Sequence, residues 1–553
     1  MSTGPVKMEK IDHQNWCQTS GSVTIDWIGR AMKLITYLQT FVRKKMDVHK
    51  HKIHLIATAI LIKLVVSFCL LLAKGYPQTP ISEIVCTGDC AIGYVPATYN
   101  LINYGKFTIY SDLAPYSGRM PGYEFILAFS TLISDTSEVS FIFVVILQSI
   151  LAGISMYCLA DLSFRLFGIQ SIFIITYGLY GISTYNSLFD ISGLTESVAI
   201  SLFIVAFSLL FNTRFGQSKL FKLLIGFLLL LGYLLRQYLL PFFALWALYI
   251  IYTEHKRNQR IKSIALSMIL YLLPLIAFEG VWIYRNYQLK DKFIPFVDSA
   301  YAGYDDPHAV GERFYFPPEN KALANFIKSW GGDFIWWNDK AEITAFISSP
   351  SKSKDEQRKV LDAFPSYIYT DEYNKDSLLI IQEAFQSERV ISESDLVRKL
   401  EKFEASFRNS KPLYYFVIAP VKLFVKFIFH SGTYNLFDKS YNNLNFFKKG
   451  VKVFYSTLYL LIVISGFIAI VLLMKDKKRS VESVILVATA LYIILLVVFV
   501  MRRIEYRHFA FAYPYFVILS SYFVLRSRSH ISQLRARIKN NRSQSNTLPQ
   551  NAS

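Results

Sequence analysis

The chain has 553 residues and a formal net charge of +19, and 53% of its residues are hydrophobic, with a mean hydropathy of +0.32. Apolar runs near the roughly 20 residues that a helix needs to cross a bilayer recur along it, which excludes a water-soluble globule. The positive charge lies in tails and short loops between those runs, not on one soluble domain, which argues against nucleic-acid binding.

Apolar spans are expected from His54 to Leu72, Val139 to Leu159, Ile169 to Phe189, Leu194 to Phe211 and Phe221 to Tyr252. Four more follow, from Ile261 to Tyr284, Val451 to Met474, Val484 to Met501 and Phe509 to Leu525. No short apolar core with a small-residue cleavage site precedes the first, so it reads as a retained anchor. The run from Phe221 to Tyr252 is too long for one crossing. Its Gly232, Arg236 and Pro241 predict two helices joined by a tight turn, so the expected fold is all-α and polytopic with about ten crossings. No internal repeat is evident.

The basic residues predict which ends share a side. Arg43, Lys44 and Lys45 precede the first span, Arg214 and Lys219 join one pair, and Lys256, Arg257, Arg260 and Lys262 join another. With Lys475, Lys477, Lys478 and Arg479 and the tail from Arg526 to Arg542, they fall on one face, so both termini are expected in the cytoplasm. The resulting organisation is a cytoplasmic segment over 1–53, a membrane core over 54–286 with a first outer loop at 74–138, and an outer lobe over 287–450. Membrane helices over 451–525 and a basic tail over 526–553 complete it. The lobe, with Trp336, Trp337 and Pro365, reads as mostly helical, and Tyr414 to Phe429, with Lys422 and Lys426 four apart, reads as an interfacial helix.

Only five cysteines occur, too few for a disulfide scaffold and without zinc-finger spacing. Cys86 and Cys90 stand close together in the first outer loop. They suit either a small bridge in an oxidising compartment or two free thiols on one face of a helix.

Some charges break the topological rule. Arg236 and Arg285 end helices on the outer side, and Arg502, Arg503 and Arg507 fall in the turn between the last two spans, while Asp89 and Glu196 join them from the first loop and the start of a span. Ionisable groups at this depth are costly unless they are paired or face a wet cavity, so together they mark a site. Arginine forks bind phosphate oxygens bidentately, and a nearby carboxylate can take a proton from an acceptor hydroxyl or help hold a metal on the phosphate. Transfer of a sugar from a lipid phosphate needs both.

These residues sit in short blocks: Gly88-Asp89-Cys90-Ala91-Ile92-Gly93-Tyr94, Leu101 to Phe107, Arg119-Met120-Pro121-Gly122-Tyr123 and Leu194-Thr195-Glu196. Further along stand Leu235-Arg236 with Pro241, Trp282 to Asn286 with Phe293-Ile294-Pro295, and Tyr506-Arg507-His508 with Pro514. In order and spacing the set resembles the C-type membrane glycosyltransferases, which include the protein O-mannosyltransferases and the bacterial lipid A aminoarabinose transferases. The resemblance implies a polyprenyl-phosphate-linked sugar donor, an acceptor that is a lipid, a glycan or a protein, and a site at the outer face of a membrane, in bacteria the inner one.

Carried over, the catalytic acid is Asp89; the unusual charges themselves assign the donor phosphate to Arg236, Arg285 and Arg507, with Arg119, Tyr123, Glu196, Asn286 and His508 in support. Many relatives carry a second acid directly after the first, where this chain has Cys90. Glu83, Asp112 and Glu124 are the candidate substitutes, and the need for a divalent metal stays open. A transporter or flippase of a lipid-linked or anionic substrate and a non-catalytic relative are the alternatives. Paired broken helices in two halves would mark a transporter, and only one interruption, near Arg236, is found.

Overall fold

The computed structural model describes residues 51–109, 113, 119–134, 136–212, 218–291, 293–296, 402, 405–406, 408–437, 441–476, 479–501 and 506–545. The chain divides into two units, Met1–Ala57 and Thr58–Ser553. Of the first, only residues 51–57 are described. The body of the outer lobe, with Trp336, Trp337 and Pro365, lies outside the described residues, as do Asp112, Arg502 and Arg503.

Among the described residues every long element is a helix. The first half of the chain forms α1 (Lys52–Ala73), α2 (Ile81–Val85), a π turn over Cys90–Tyr94, α3 (Val95–Tyr104), α4 (Gly122–Ile133) and α5 (Ser137–Phe167). These are followed by α6 (Gln170–Ile182), α7 (Thr184–Asp190), α8 (Glu196–Leu210), α9 (Lys219–Leu235), α10 (Pro241–Lys256) and α11 (Ile261–Lys290). After the lobe come α12 (Ala419–Ile428), α13 (Phe446–Lys475), α14 (Val481–Leu495) and α15 (Tyr506–Ser545).

The protein is a multi-pass membrane protein with seven stretches, among the described residues, long and apolar enough to cross a bilayer. They are Lys52–Ala73, Ser137–Phe167, Ile261–Leu289, Tyr414–Asn443, Phe446–Lys475, Val481–Val500 and Arg507–Ser527. The expected count of about ten took in six of these, without Tyr414–Asn443, and four crossings from three further runs that the structure folds as shorter helices. One of them, the run expected from Ile169 to Phe189, is two helices, because Ser183 adopts extended backbone and its side chain accepts from the Tyr185 amide, capping α7 as a separate element. The run from Phe221 to Tyr252 breaks where Arg236 turns extended, with a 3-10 turn before Pro241 opens α10. The stretch Tyr414–Asn443 is not one rod: a π turn leads into α12, and 3-10 turns follow. With Leu423 and Phe427 buried and Lys422 and Lys426 exposed, α12 has one apolar and one basic face. Its ten residues span about 15 Å, half of a bilayer core, as befits an interfacial helix.

The core is built around the first half of α15, where every residue from Phe509 to Leu519 is buried. Phe511 and Tyr515 of α15 meet Phe203 and Phe207 of α8, against which Trp246 of α10 also stacks. Edge and tilted contacts of this kind contribute beyond the area they bury. Close helix approach needs small residues: α9 packs on α11 at Gly226, where an added Cβ would fall on the Tyr271 carbonyl oxygen. The start of α15 thereby lies beside α8, and the helix ends that carry the unusual charges come together.

Candidate functional site: an arginine and carboxylate cluster at the helix ends

Asp89 is presented by a short, tightly fixed segment. The Glu138 carboxylate at the start of α5 accepts from the backbone amides of Ile81 and Ser82 at 2.8 and 3.2 Å, capping α2. After α2 a disulfide joins Cys86 to Cys90, with Cα atoms 5.1 Å apart. This resolves the two cysteine readings in favour of the bridge. Asp89 precedes the π turn Cys90–Tyr94, an irregularity that often marks function.

Cys90 is fully buried and lies where a Cβ on Gly193 would meet its sulfur at 2.7 Å. The Gly193 amide also donates to the Val85 carbonyl at 2.8 Å. The Asp89 segment is thus seated directly on the turn that leads into α8.

Glu196 is the first residue of α8, where the helix dipole favours a carboxylate, and Arg236 caps the C-terminus of α9, where it favours a cation. The two pair directly. Arg507, in the first turn of α15, bridges both acids: its Nη1 donates to Asp89 Oδ2 at 2.7 Å, and its Nε lies 3.7 Å from Glu196 Oε1. Arg119 completes the group, 3.5 Å from Asp89 Oδ1, with its guanidinium 5.0 Å from the Tyr94 ring centre. Gly93 makes room for it, since a Cβ there would stand 2.7 Å from Arg119 Nη1.

Three guanidinium groups therefore face two carboxylates, and the cluster keeps a surplus positive charge. The Glu196 side chain is 2% exposed while that of Asp89 is 25% exposed, so the cluster opens on the Asp89 side. Burial pushes the Asp89 carboxyl up, but the guanidinium groups of Arg507 and Arg119 outweigh it and hold Asp89 well below the usual carboxylate range.

Of the expected site residues, the structure brings together Asp89, Arg119, Glu196, Arg236 and Arg507. Tyr123 lies behind them, its ring 5.0 Å from that of Tyr94 and its hydroxyl donating to Gln148 Oε1 at 3.0 Å. His508 is buried with its ring 5.9 Å from Tyr238. Arg285 has a different setting. Its guanidinium lies over Trp282 at 4.8 Å and Phe107 at 5.7 Å, donates to the Phe107 carbonyl at 3.0 Å, and donates to Asn286 Oδ1 at 2.8 Å. Asn286 in turn donates to the Ile294 carbonyl at 3.1 Å.

Among the candidate second acids, Glu83 is exposed on α2 and Glu124 is buried in α4. No group of three His, Cys, Asp or Glu side chains gathers among the described residues. Both carboxylates of the cluster are engaged by guanidinium groups.

Sequence reasoning passed over a buried ion pair. Lys63, in the middle of α1, lies 3.7 Å from Asp190 Oδ2, and both are almost wholly buried. The signal was there: a lone lysine inside an apolar span needs a partner.

No family model matches the chain, and no curated protein does. Among solved structures, the crystal structure of ArnT from Cupriavidus metallidurans bound to undecaprenyl phosphate is similar at 13% identity and a TM-score of 0.34, over 86% of this chain and 78% of that one. So slight a likeness carries no argument, and the geometry has to stand by itself.

Proposed function

We propose that the protein is a membrane glycosyltransferase that moves a sugar from a polyprenyl phosphate to an acceptor hydroxyl at the non-cytoplasmic face. The observation that carries this reading is the surplus of guanidinium over carboxylate in a partly open cluster at helix ends. An anion with several oxygens fits there. Phosphate oxygens compete with Asp89 and Glu196 for the same N–H donors, and the lipid tail lies along the exposed apolar helix faces.

Asp89 is the open acid of the pair. In the free cluster its carboxylate is a weak base, because two guanidinium groups stabilise its charge. Once a phosphate draws Arg507 and Arg119 away, Asp89 regains basicity and can accept the acceptor's proton. The acceptor oxygen then bonds to the anomeric carbon as the bond from that carbon to the phosphate oxygen breaks. The electron pair leaves on the phosphate, where the arginines stabilise it.

The side of the membrane rests on the basic loops and on the disulfide, since the bridge beside Asp89 belongs to an oxidising compartment. Together with the Lys and Arg distribution it supports a reading in which residues 1–53 and 526–553 are cytoplasmic and 287–450 form an outer, acceptor-selecting lobe.

The test is incubation of purified protein with a panel of polyprenyl-phosphate sugars, scoring release of polyprenyl phosphate. Release with one donor, slowed by about 10²–10⁴-fold in Asp89→Asn, is the expected result. Lipid binding or movement without any release would sink the transferase reading and favour transport.

A further inference from the structure

Asp190 closes α7 and is 3% exposed. Its Oδ1 accepts from Ser197 Oγ at 2.6 Å, its Oδ2 lies 3.7 Å from Lys63 Nζ, and its backbone carbonyl accepts from Gln148 Nε2 at 3.0 Å. Lys63 is itself held by Ser187 Oγ at 2.8 Å and sits 4.6 Å from the Tyr180 ring centre.

Two paths run outward from this node. Ser197 follows Glu196 in the first turn of α8, so one path ends on the Glu196–Arg236 pair. The other passes from Gln148 to the Tyr123 hydroxyl at 3.0 Å, then to the Tyr94 ring and the Arg119 guanidinium above it.

We infer that Asp190, pinned by Lys63, is a positioning residue for the arginine and carboxylate cluster, fixing Glu196 through Ser197 and Arg119 through Gln148 and Tyr123. The start of α8 has no side-chain cap on its backbone amides. Helix ends without caps fray, and fraying here would swing Glu196 away from Arg236 and Arg507. The bond from Ser197 to Asp190 ties that turn to the preceding helix in place of a cap.

Carrying a lysine into an apolar span is costly, and a buried ion pair adds little net stability compared with apolar packing. A fixed register at the mouth of the site explains its presence better than stability does.

The experiment uses the full-length protein and conservative changes that remove one bond each: Ser197→Ala, Tyr123→Phe and, as rescue, Ser197→Thr. Two readouts are taken: hydrogen exchange of the backbone amides at 195–198 without ligand, and affinity for farnesyl phosphate. Only the second rests on the proposed polyprenyl-phosphate site.

Ser197→Ala should speed exchange in the first turn of α8. Ser197→Ala and Tyr123→Phe should each weaken farnesyl phosphate by about three- to tenfold, the scale of one hydrogen bond. The melting temperature should fall by no more than the loss of one buried hydrogen bond accounts for, the protein staying folded, and Ser197→Thr should restore both readouts. If exchange and affinity match the wild type in both variants, the inference is overturned while the phosphate site stands. If the wild type does not bind farnesyl phosphate but exchange still rises in Ser197→Ala, the positioning role stands and the phosphate site falls.

Discussion

Asp89 and Arg507 stand 418 positions apart in the chain, and their side chains meet at 2.7 Å. One guanidinium spans the gap from Asp89 to Glu196 because its N–H groups point in different directions from one plane. The first outer loop, the start of α8 and the start of α15 are thereby joined through a single side chain.

That geometry sets the expected effect of exchanging arginine for lysine. An ammonium keeps the charge but cannot bridge two carboxylates or grip a phosphate bidentately. Arg507→Lys and Arg236→Lys should weaken polyprenyl phosphate binding by about tenfold or more. Arg285→Lys should weaken it less, because the Arg285 fork is occupied by the Phe107 carbonyl and Asn286. Affinities for all three variants, measured by titration in one detergent, check the order. A larger loss in Arg285→Lys than in Arg507→Lys would move the phosphate toward Trp282.

Asp89→Asn keeps the shape of the side chain and removes its charge. Turnover should fall by about 10²–10⁴-fold, the range of a general base, while donor affinity holds or rises, since the phosphate no longer competes with a charged Asp89 for the guanidinium groups. The pH dependence has a definite sign. The folded-state pKa of Asp89 is depressed, so the stability it contributes is present above the ordinary carboxylate pKa of about 4 and is lost as pH falls through the folded value. The difference in melting temperature between wild type and Asp89→Asn should therefore stay constant from about pH 8 to about pH 5. A difference that closes within that window would show that the arginines do not hold Asp89 ionised.

Two glycines separate damage to the site from damage to the fold. At Gly93 a new methyl group meets the far end of the Arg119 side chain, which can move away. Gly93→Ala should fold normally and lose activity. At Gly226 the obstacle is the Tyr271 backbone. Gly226→Ala should destabilise the protein by about 1–3 kcal/mol, the usual cost of overpacking. Thermal melts alongside turnover for the two variants distinguish the effects, and equal stability losses would contradict the assignment of Gly93 to the site.

The membrane orientation can be checked by fusions. Reporters after Ser480 and at Ser553 should give cytoplasmic signals and one near Ser353 an outside signal, as the Lys and Arg distribution requires. On the same orientation, the partly exposed Cys86 should react with maleimide only after reduction, because it is bridged to Cys90. An outside signal at Ser553 would reverse the assignment of every loop.

The membrane class, most helix positions and the list of unusual charges were legible in the sequence because each is local. A span is an apolar run, the break at Arg236 is announced by Pro241, and an arginine against the charge rule is visible by itself. Which charges meet was not legible. Arg236, Arg285 and Arg507 look alike along the chain, yet only Arg236 and Arg507 meet the two carboxylates, and Arg285 turns to the Phe107 carbonyl. The separation of α6 from α7 at Ser183 was also hidden, because a side-chain cap can end a helix inside an apolar run that hydropathy reads as continuous. Lys63 could be seen as misplaced, but its partner Asp190 is set by how α1 packs on α5 and α7. Hydrophobic runs specify helices residue by residue, whereas an ion pair between helix ends depends on how those helices cross. Crossing is decided by distributed packing contacts, such as Gly226 against Tyr271, and only the folded structure brings these together.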